Sequence, residues 1–226
     1  MSSGRDLGGM SSRSAADENA AWVDLYWVPL GAGGQWVRWN GRVYERLVAA
    51  RQRRRPCDLY HSALLIRSAA VTYAVEMGPV WNVAASDRVV VREGPVGARL
   101  LGRFRAFRYE VRCWPGGSIP DLAEAVGDPR RVTDDPAQVA AVLAVLPQVP
   151  PLTWGRDELG TGDMWNSNSL VSWALARTGH DMDLIGPPPN GRAPGWLAGL
   201  RLAERQCSST PPPVSRSGRS APLLRR

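Results

Sequence analysis

The chain has 226 residues, 44% of them hydrophobic, which is enough for one globular domain with a full core and excludes a disordered or fibrous protein. Its net charge is +7, yet all 28 basic residues are arginine, a bias that a GC-rich genome of actinobacterial type produces without any functional cause. No zinc-finger, recognition-helix or aromatic RNA-binding pattern accompanies the arginines, so a basic nucleic-acid-binding adaptor is only a weak alternative.

The predicted elements begin after a Ser- and Gly-rich stretch. Residues 1–18 and the Pro-, Ser- and Arg-rich residues 208–226 have too little apolar content to pack, so both are expected to be disordered tails. A single domain is predicted between them, over residues 19–207. It opens with a strand over residues 22–28, a short return strand at 36–39, and an amphipathic helix from about 42 to 54 that Pro56 ends.

The middle of the chain is predicted to form the sheet. Strands are expected at residues 60–67 and 71–77, joined by a turn at Ser68-Ala69, and then at 89–91 and 104–114. Helices are expected at residues 119–126, at 136–146 after a cap at Asp134 or Asp135, and at 166–177 before Gly179. Strands followed by helices predict an α+β fold with helices packed on an antiparallel sheet.

Membrane and metal signals are missing from the sequence. No apolar stretch approaches the roughly 20 residues of a membrane span, and the N-terminus has no apolar core of a signal peptide. The three cysteines share no metal-ligand spacing and fit a reducing compartment. The expectation is therefore a cytoplasmic protein without a transmembrane segment, a metal or a cofactor, while the oligomeric state stays open.

The first candidate for chemistry is His61, near the start of a predicted strand. If Arg67 faces Ala70 across the hairpin, His61 lies opposite Glu76, and cross-strand partners have Cβ atoms roughly 5 Å apart. Glu76 could then orient the imidazole, as the acid does in a catalytic triad. A register slip of one residue would remove this partner, and Tyr73 would become an alternative neighbour of His61.

The second candidate is the run Asn166-Ser167-Asn168-Ser169, which precedes an apolar helix and consists of good capping residues. A nucleophile at a helix N-terminus benefits from the positive end of the helix dipole, and the free N–H groups there can stabilise an oxyanion. Ser167 is the candidate nucleophile.

Together these two motifs resemble the circularly permuted NlpC/P60 superfamily, which has a papain-like fold and includes lecithin:retinol acyltransferase-like and PPPDE proteins. In that group a His begins an early strand, and the nucleophilic Cys later opens a helix in a motif N-C-N-[ST]-F. Tyr60-His61-Ser62-Ala63-Leu64 is similar to the strand start, and Asn166-Ser167-Asn168-Ser169-Leu170 is similar to the helix motif. The resemblance implies a permuted papain-like fold over roughly residues 22–200.

The resemblance departs at the nucleophile, because Ser167 stands where the family has Cys. A serine hydroxyl is much less acidic than a thiol and needs His61 to take its proton during attack. The implied function is a hydrolase or acyltransferase that acts on an amide, ester or thioester of a small-molecule, lipid or peptide substrate. The alternative is an inactive homologue that serves as a ligand-binding or scaffold protein.

Each candidate residue also has an ordinary structural interpretation. His61 could be a half-buried strand histidine, Glu76 a strand-end residue facing water, and Ser167 only a helix cap. The sequence leaves these alternatives open. The candidate substrate-binding residues are Asn166, Asn168, Trp165 and Tyr73.

Overall fold

The computed structural model describes residues 20–30, 43, 45–80, 89–117, 119 and 122–208. Its strands are β1 (Trp22–Pro29), β2 (Asp58–Ser68), β3 (Val71–Pro79), β4 (Val90–Pro95), β5 (Arg108–Pro115), β6 (Arg130–Thr133) and β7 (Gly191–Arg192). Its helices are α1 (residues 45–51), α2 (Pro136–Val145), α3 (Ser167–Arg177) and α4 (Trp196–Ser208). The chain is therefore α+β, as the sequence predicts.

The sheet has the strand order β4-β5-β3-β2-β1-β6, and every pair of neighbours in that order is antiparallel. The short strand β7 adds to the beginning of β2 in the parallel sense, at Asp58 and Leu59. One face of the sheet packs against α2 and α3 and forms the main core, which contains Leu64, Ile66 and Leu170. A smaller cluster of Ala63, Ala74 and Ile119 forms a second core.

The central helix α3 is buried along most of its length, from Ser167 to Leu175. Because it is apolar on several faces, it is enclosed between the sheet and α4 rather than lying on the surface. Its contact with α4 is close at Gly199, where an added Cβ would collide with the Ser169 carbonyl oxygen and the Ser172 hydroxyl. Glycine is therefore required at this crossing.

The hairpin of β2 and β3 forms where the sequence predicts it, but the predicted register is wrong. Arg67 pairs with Thr72 rather than with Ala70, and Leu64 pairs with Val75. The turn lies at Ala69-Ala70, with Ala69 at φ 51°, one residue later than predicted. The hairpin contains no Gly or Asn that would mark the turn in the sequence, and the difference moves every partner by two residues.

Two further predictions need correction. Residues 104–107 are not part of a strand: two short 3-10 helices, Arg99–Arg103 and Arg105–Phe107, precede β5. The alternation of arginine and apolar residues there comes from an exposed segment, and its change of phase near Phe107 marks the true start of the strand. The helix expected at residues 119–126 is a single 3-10 turn, Leu122–Glu124, among the described residues.

The other helices agree better with the sequence. Asp135 caps α2, since its carboxylate accepts a hydrogen bond from the Ala137 N–H at 2.9 Å. Asn166 caps α3. The sequence patterns did not predict α4, β6 or β7. The two expected tails fall almost wholly outside the described residues, as does the return strand at 36–39. No helix of the described part of the chain combines the length and apolarity needed to cross a bilayer.

Candidate functional site

The candidate site begins at the N-terminus of α3, where the first turn of a helix has N–H groups without intrahelical acceptors. Asn166 Oδ1 accepts hydrogen bonds from the N–H groups of Asn168 at 2.9 Å and Ser169 at 3.3 Å. The Ser169 hydroxyl accepts a hydrogen bond from the Asn166 N–H at 3.0 Å, which completes a capping box. Among the described residues, the Ser167 N–H has no acceptor and remains available.

The side chain of Asn168 connects α3 to strand β2 by hydrogen bonds. Its Oδ1 accepts hydrogen bonds from the Ser62 N–H at 2.7 Å and the Ser62 hydroxyl at 2.8 Å. Its Nδ2 donates to the carbonyl oxygens of Tyr60 at 2.9 Å and Pro194 at 2.8 Å. These four bonds use both donors and both acceptor positions of the carboxamide, and the side chain is buried.

The reason for this arrangement is a gap in the sheet. The pairing of β2 with β3 stops at Leu64 and Val75, while β2 continues to pair with β1 as far as Tyr60. Beyond Leu64, the edge of β2 facing β3 would leave buried backbone groups without partners, which is costly. The carboxamide of Asn168 supplies the missing donor and acceptor, so the start of α3 takes the place of a strand partner.

Ser167 and His61 meet at this gap. Ser167 Oγ lies 2.7 Å from His61 Nδ1, although the two residues are 106 positions apart in the sequence. Ser167 is 7% exposed, whereas His61 has intermediate exposure. When Nδ1 is the unprotonated nitrogen, the Ser167 hydroxyl donates to it, which is the arrangement that a serine nucleophile and its general base require.

His61 is in the neutral form that a general base requires, while a pKa well below 7 also makes it a weaker base than an ordinary histidine. Desolvation by burial lowers the pKa of His61 to about 4, so the imidazole is neutral at pH 7. A neutral imidazole can accept a proton, while an imidazolium cannot. A carboxylate beside the ring would act in the opposite direction and raise the pKa. The lowered pKa therefore describes a histidine dominated by desolvation.

Glu76 is placed differently from the sequence-based prediction. The observed register moves it two residues from the position opposite His61, and it faces Arg112 of β5 instead. Its Oε2 lies 4.0 Å from Arg112 Nη1, and Arg112 also pairs with Glu110 at 3.0 Å. The predicted register that placed Glu76 opposite His61 is therefore wrong.

The structure also locates the four residues predicted to contact substrate. Asn166 and Asn168 make the structural hydrogen bonds described above. Trp165 is 1% exposed and belongs to the main core. Tyr73 pairs with Ile66, five residues along β2 from His61 or roughly 16 Å, and packs against the same core. Their contact with a substrate stays a prediction, and only the two asparagines adjoin Ser167.

Several residues that hold the site were not identified from the sequence. Asp163 accepts hydrogen bonds from the N–H groups of Gly195 at 2.7 Å and Leu197 at 3.2 Å, which fixes the start of α4 beside α3. Gly195, with φ 93°, comes so close to Asn166 that a Cβ would collide with its carboxamide. A signal for Ser62 was present in the sequence, since it is a small polar residue directly before the apolar run Ala63-Leu64-Leu65-Ile66.

The three cysteines lie away from Ser167, and all are free. The Cys57 thiol donates to Glu45 at 3.2 Å, and burial raises the pKa of the Cys113 thiol to about 11. The described residues contain no cluster of His, Cys, Asp and Glu suited to a metal ion.

A groove of about 1080 Å³ opens at the beginning of β2. Its lining includes Tyr60, the neighbour of His61, together with the arginines Arg46, Arg55 and Arg192. The groove therefore reaches the strand that carries His61, although neither His61 nor Ser167 is part of its lining.

Comparison of the chain with protein-family models, with curated proteins and with solved structures gives no match. The site is therefore interpreted from its own geometry.

Proposed function

We propose that this chain is a hydrolase or acyl-transfer enzyme that acts on an amide, ester or thioester through Ser167 and His61. The observation that carries the proposal is the 2.7 Å separation of Ser167 Oγ and His61 Nδ1 at the N-terminus of a buried helix. The proposal includes a permuted papain-like fold. This fold is supported by the order of the two elements, since β2 with His61 precedes α3 with Ser167, and by the packing of α3 on an antiparallel sheet.

The chemistry follows from the protonation states. Ser167 Oγ attacks the carbonyl carbon while its proton passes to Nδ1 of the neutral His61, so a new C–O bond forms and a tetrahedral oxyanion develops. The N–H of Ser167 and the positive end of the α3 dipole lie where they can favour that negative charge. The leaving group departs with the proton from His61, and water or an acceptor nucleophile then releases the acyl group.

The neighbours of Ser167 act as positioning residues in this proposal. Asn166 holds the first turn of α3, and Asn168 fixes that turn against β2, the strand that carries His61. Because both contacts are buried, the separation of the serine and the histidine is set by the fold rather than by a mobile loop. Glu76 has no part in this dyad.

A fluorophosphonate probe tests the serine nucleophile directly. We expect the wild-type chain to be labelled on the peptide that contains Ser167, and we expect Ser167→Ala to abolish the labelling. His61→Gln should slow labelling by about a hundredfold or more, since it removes the general base. Ser172→Ala, on the same helix but bonded to the Trp196 carbonyl, is the matched control and should label normally.

Equal labelling of wild type and Ser167→Ala, or no labelling of either, would contradict the proposal. Thermal unfolding of each variant must accompany the assay, so that loss of labelling is separated from loss of folding.

A second candidate is a catalytically inactive protein that binds a ligand in the groove at the start of β2. The observation that favours it is the low exposure of Ser167, which limits access to the hydroxyl. Ser167→Cys distinguishes the two proposals. If reagents can reach residue 167, the introduced thiol reacts with iodoacetamide at a rate that His61→Gln changes. If the site is closed, that thiol stays unmodified while the exposed Cys207 reacts.

A further inference from the structure

An exposed segment between β4 and β5 has a composition opposite to that of an ordinary protein surface. Residues 99–108 contain three large apolar side chains that face solvent: Leu100 is 74% exposed, Phe104 49% and Phe107 43%. Residues 103–107 are all exposed. Single apolar residues on a surface need no explanation, but three of them within eight residues mark an interaction site.

The same segment is strongly basic. Arginines occupy positions 99, 103, 105 and 108, and no Asp or Glu occurs from residue 94 to residue 109. Arg99 and Arg108 pair with Glu158 and Glu93 on either side. Arg103 and Arg105 have no acidic partner among the described residues. The guanidinium of Arg103 instead lies 4.7 Å from the centre of the Phe104 ring.

We propose that residues 99–108 bind the surface of an anionic lipid bilayer. Leucine and phenylalanine side chains insert at the boundary between headgroups and acyl chains, while arginines next to them bind anionic headgroups. Both components are needed here, because a few apolar side chains or a few charges alone give only weak attachment. The exposed apolar side chains, together with Arg103 and Arg105, supply them from one short segment.

A lipid surface fits this segment better than a nucleic acid does. Single-stranded nucleic acids are held by stacking of bases on aromatic rings and by a basic groove along the backbone. Phe104 and Phe107 have rings on which a base could stack, but Leu100, the most exposed apolar residue of the segment, has none and is explained only by an apolar partner. The segment also consists of two short 3-10 helices, and none of its residues lines the groove at the start of β2.

The segment is joined by isolated β-bridges to the residues that precede Ser167. Val96 forms a β-bridge with Trp154, and Trp154 forms a second bridge with Trp165, two residues before Ser167. The Gly97 N–H donates to the Trp154 carbonyl at 3.0 Å, and Arg156 donates to the Gly97 carbonyl. Docking of residues 99–108 would therefore hold the start of α3 in a fixed relation to the bilayer. The proposal does not depend on catalysis by Ser167.

Sedimentation with lipid vesicles tests the proposal on the full chain. We expect binding to vesicles of equal parts phosphatidylcholine and phosphatidylglycerol, and much weaker binding to vesicles of phosphatidylcholine alone. The double variant Leu100→Ser/Phe104→Ser should lower the partition coefficient by about tenfold or more, and so should Arg103→Gln/Arg105→Gln. The matched controls are Leu184→Ser, at a leucine 65% exposed elsewhere, and Arg201→Gln on α4.

The outcomes separate the alternatives. Loss of binding in both double variants, with both controls and Ser167→Ala unchanged, supports the proposal. If Leu100→Ser/Phe104→Ser binds like wild type, vesicle binding comes from general positive charge and the proposal is overturned. It is also overturned if the chain does not bind vesicles but binds single-stranded RNA, and if Arg103→Gln/Arg105→Gln abolishes that RNA binding. Thermal unfolding confirms that each variant is folded before its binding is compared.

Discussion

The start of α3 and the 99–108 segment reverse the usual distribution of polar and apolar residues in opposite ways. At the start of α3, Ser167, Asn168 and Ser169 are buried, and each side chain has a hydrogen-bond partner. In the 99–108 segment, leucine and phenylalanine side chains are largely exposed. Buried polar groups are tolerated only when they are bonded, so the first region is a rigid frame. The second region has surface available for a partner.

The comparison predicts its largest effect at Asn168. Asn168→Leu would leave the Ser62 N–H, the Ser62 hydroxyl and the Tyr60 carbonyl oxygen buried without this partner, while the Pro194 carbonyl keeps its hydrogen bond from Asn166 Nδ2 at 2.8 Å. The expected loss is about 4 kcal/mol of unfolding free energy, because each unsatisfied group costs roughly 1–3 kcal/mol. Urea unfolding measures it. Gln148→Leu, at an exposed glutamine that bonds only the Ala144 carbonyl, is the control and should change stability little. A loss below about 1 kcal/mol at Asn168 would contradict the proposed role of its carboxamide.

An intermediate effect is expected from pH. The pKa of His61 is about 4 in the folded chain, below its ordinary value of 6.5, so the unfolded chain binds the proton more tightly. The stabilisation is complete above about pH 6.5 and is lost as the pH falls towards 4, with a total of roughly 3 kcal/mol. Unfolding free energies measured across this range should show the decline.

His61→Gln should remove the greater part of that decline. His180→Gln is a suitable comparison, because the pKa of His180 is also lowered by burial but its ring bonds Thr178 rather than the site. Below about pH 4.5 a separate loss begins as Glu45 is protonated, since its bonds with Arg54 lower its pKa to about 2. A decline that His61→Gln leaves unchanged would contradict the desolvated state of this imidazole.

The smallest effect on stability is expected in the exposed segment. Leu100→Ser and Arg105→Gln remove side chains that contribute little to the core, so each should change the unfolding free energy by less than about 0.5 kcal/mol. The melting temperature of each variant checks this. A large destabilisation would show that the segment contributes to the stability of the fold, as the start of α3 does, and would contradict the difference proposed between the two regions.

Much of the candidate site could be predicted from short sequence patterns. A histidine at the start of a strand and a run of capping residues before an apolar helix marked His61 and Ser167 separately. The resemblance of both motifs to those of the permuted NlpC/P60 superfamily put the two residues in one site, and the structure brings them together. The position of Glu76 could not be predicted in the same way, because it depends on the register of the β2–β3 hairpin. No residue of Ser68-Ala69-Ala70 prefers one turn position strongly enough to fix that register.

Other differences have similar causes. Residues 104–107 alternate like a strand, yet the 3-10 turns before β5 place them in solvent. The helix α4 was missed, although its start is well defined in the structure by Asp163. That cap lies 33 residues before Trp196 in the sequence and cannot be recognised from the local pattern.

The sequence by itself determined the local features: the α+β class, a helix cap at Asp134 or Asp135, and a second cap within the run Asn166-Ser167-Asn168-Ser169. These depend on interactions between near neighbours in the chain, which residue type and spacing specify. The tertiary structure decided the gap between β2 and β3, the use of Asn168 to fill it, the pairing of Glu76 with Arg112, and the exposure of residues 103–107. Each of these depends on which distant backbone groups lie together and what covers them, and packing of the whole chain sets both.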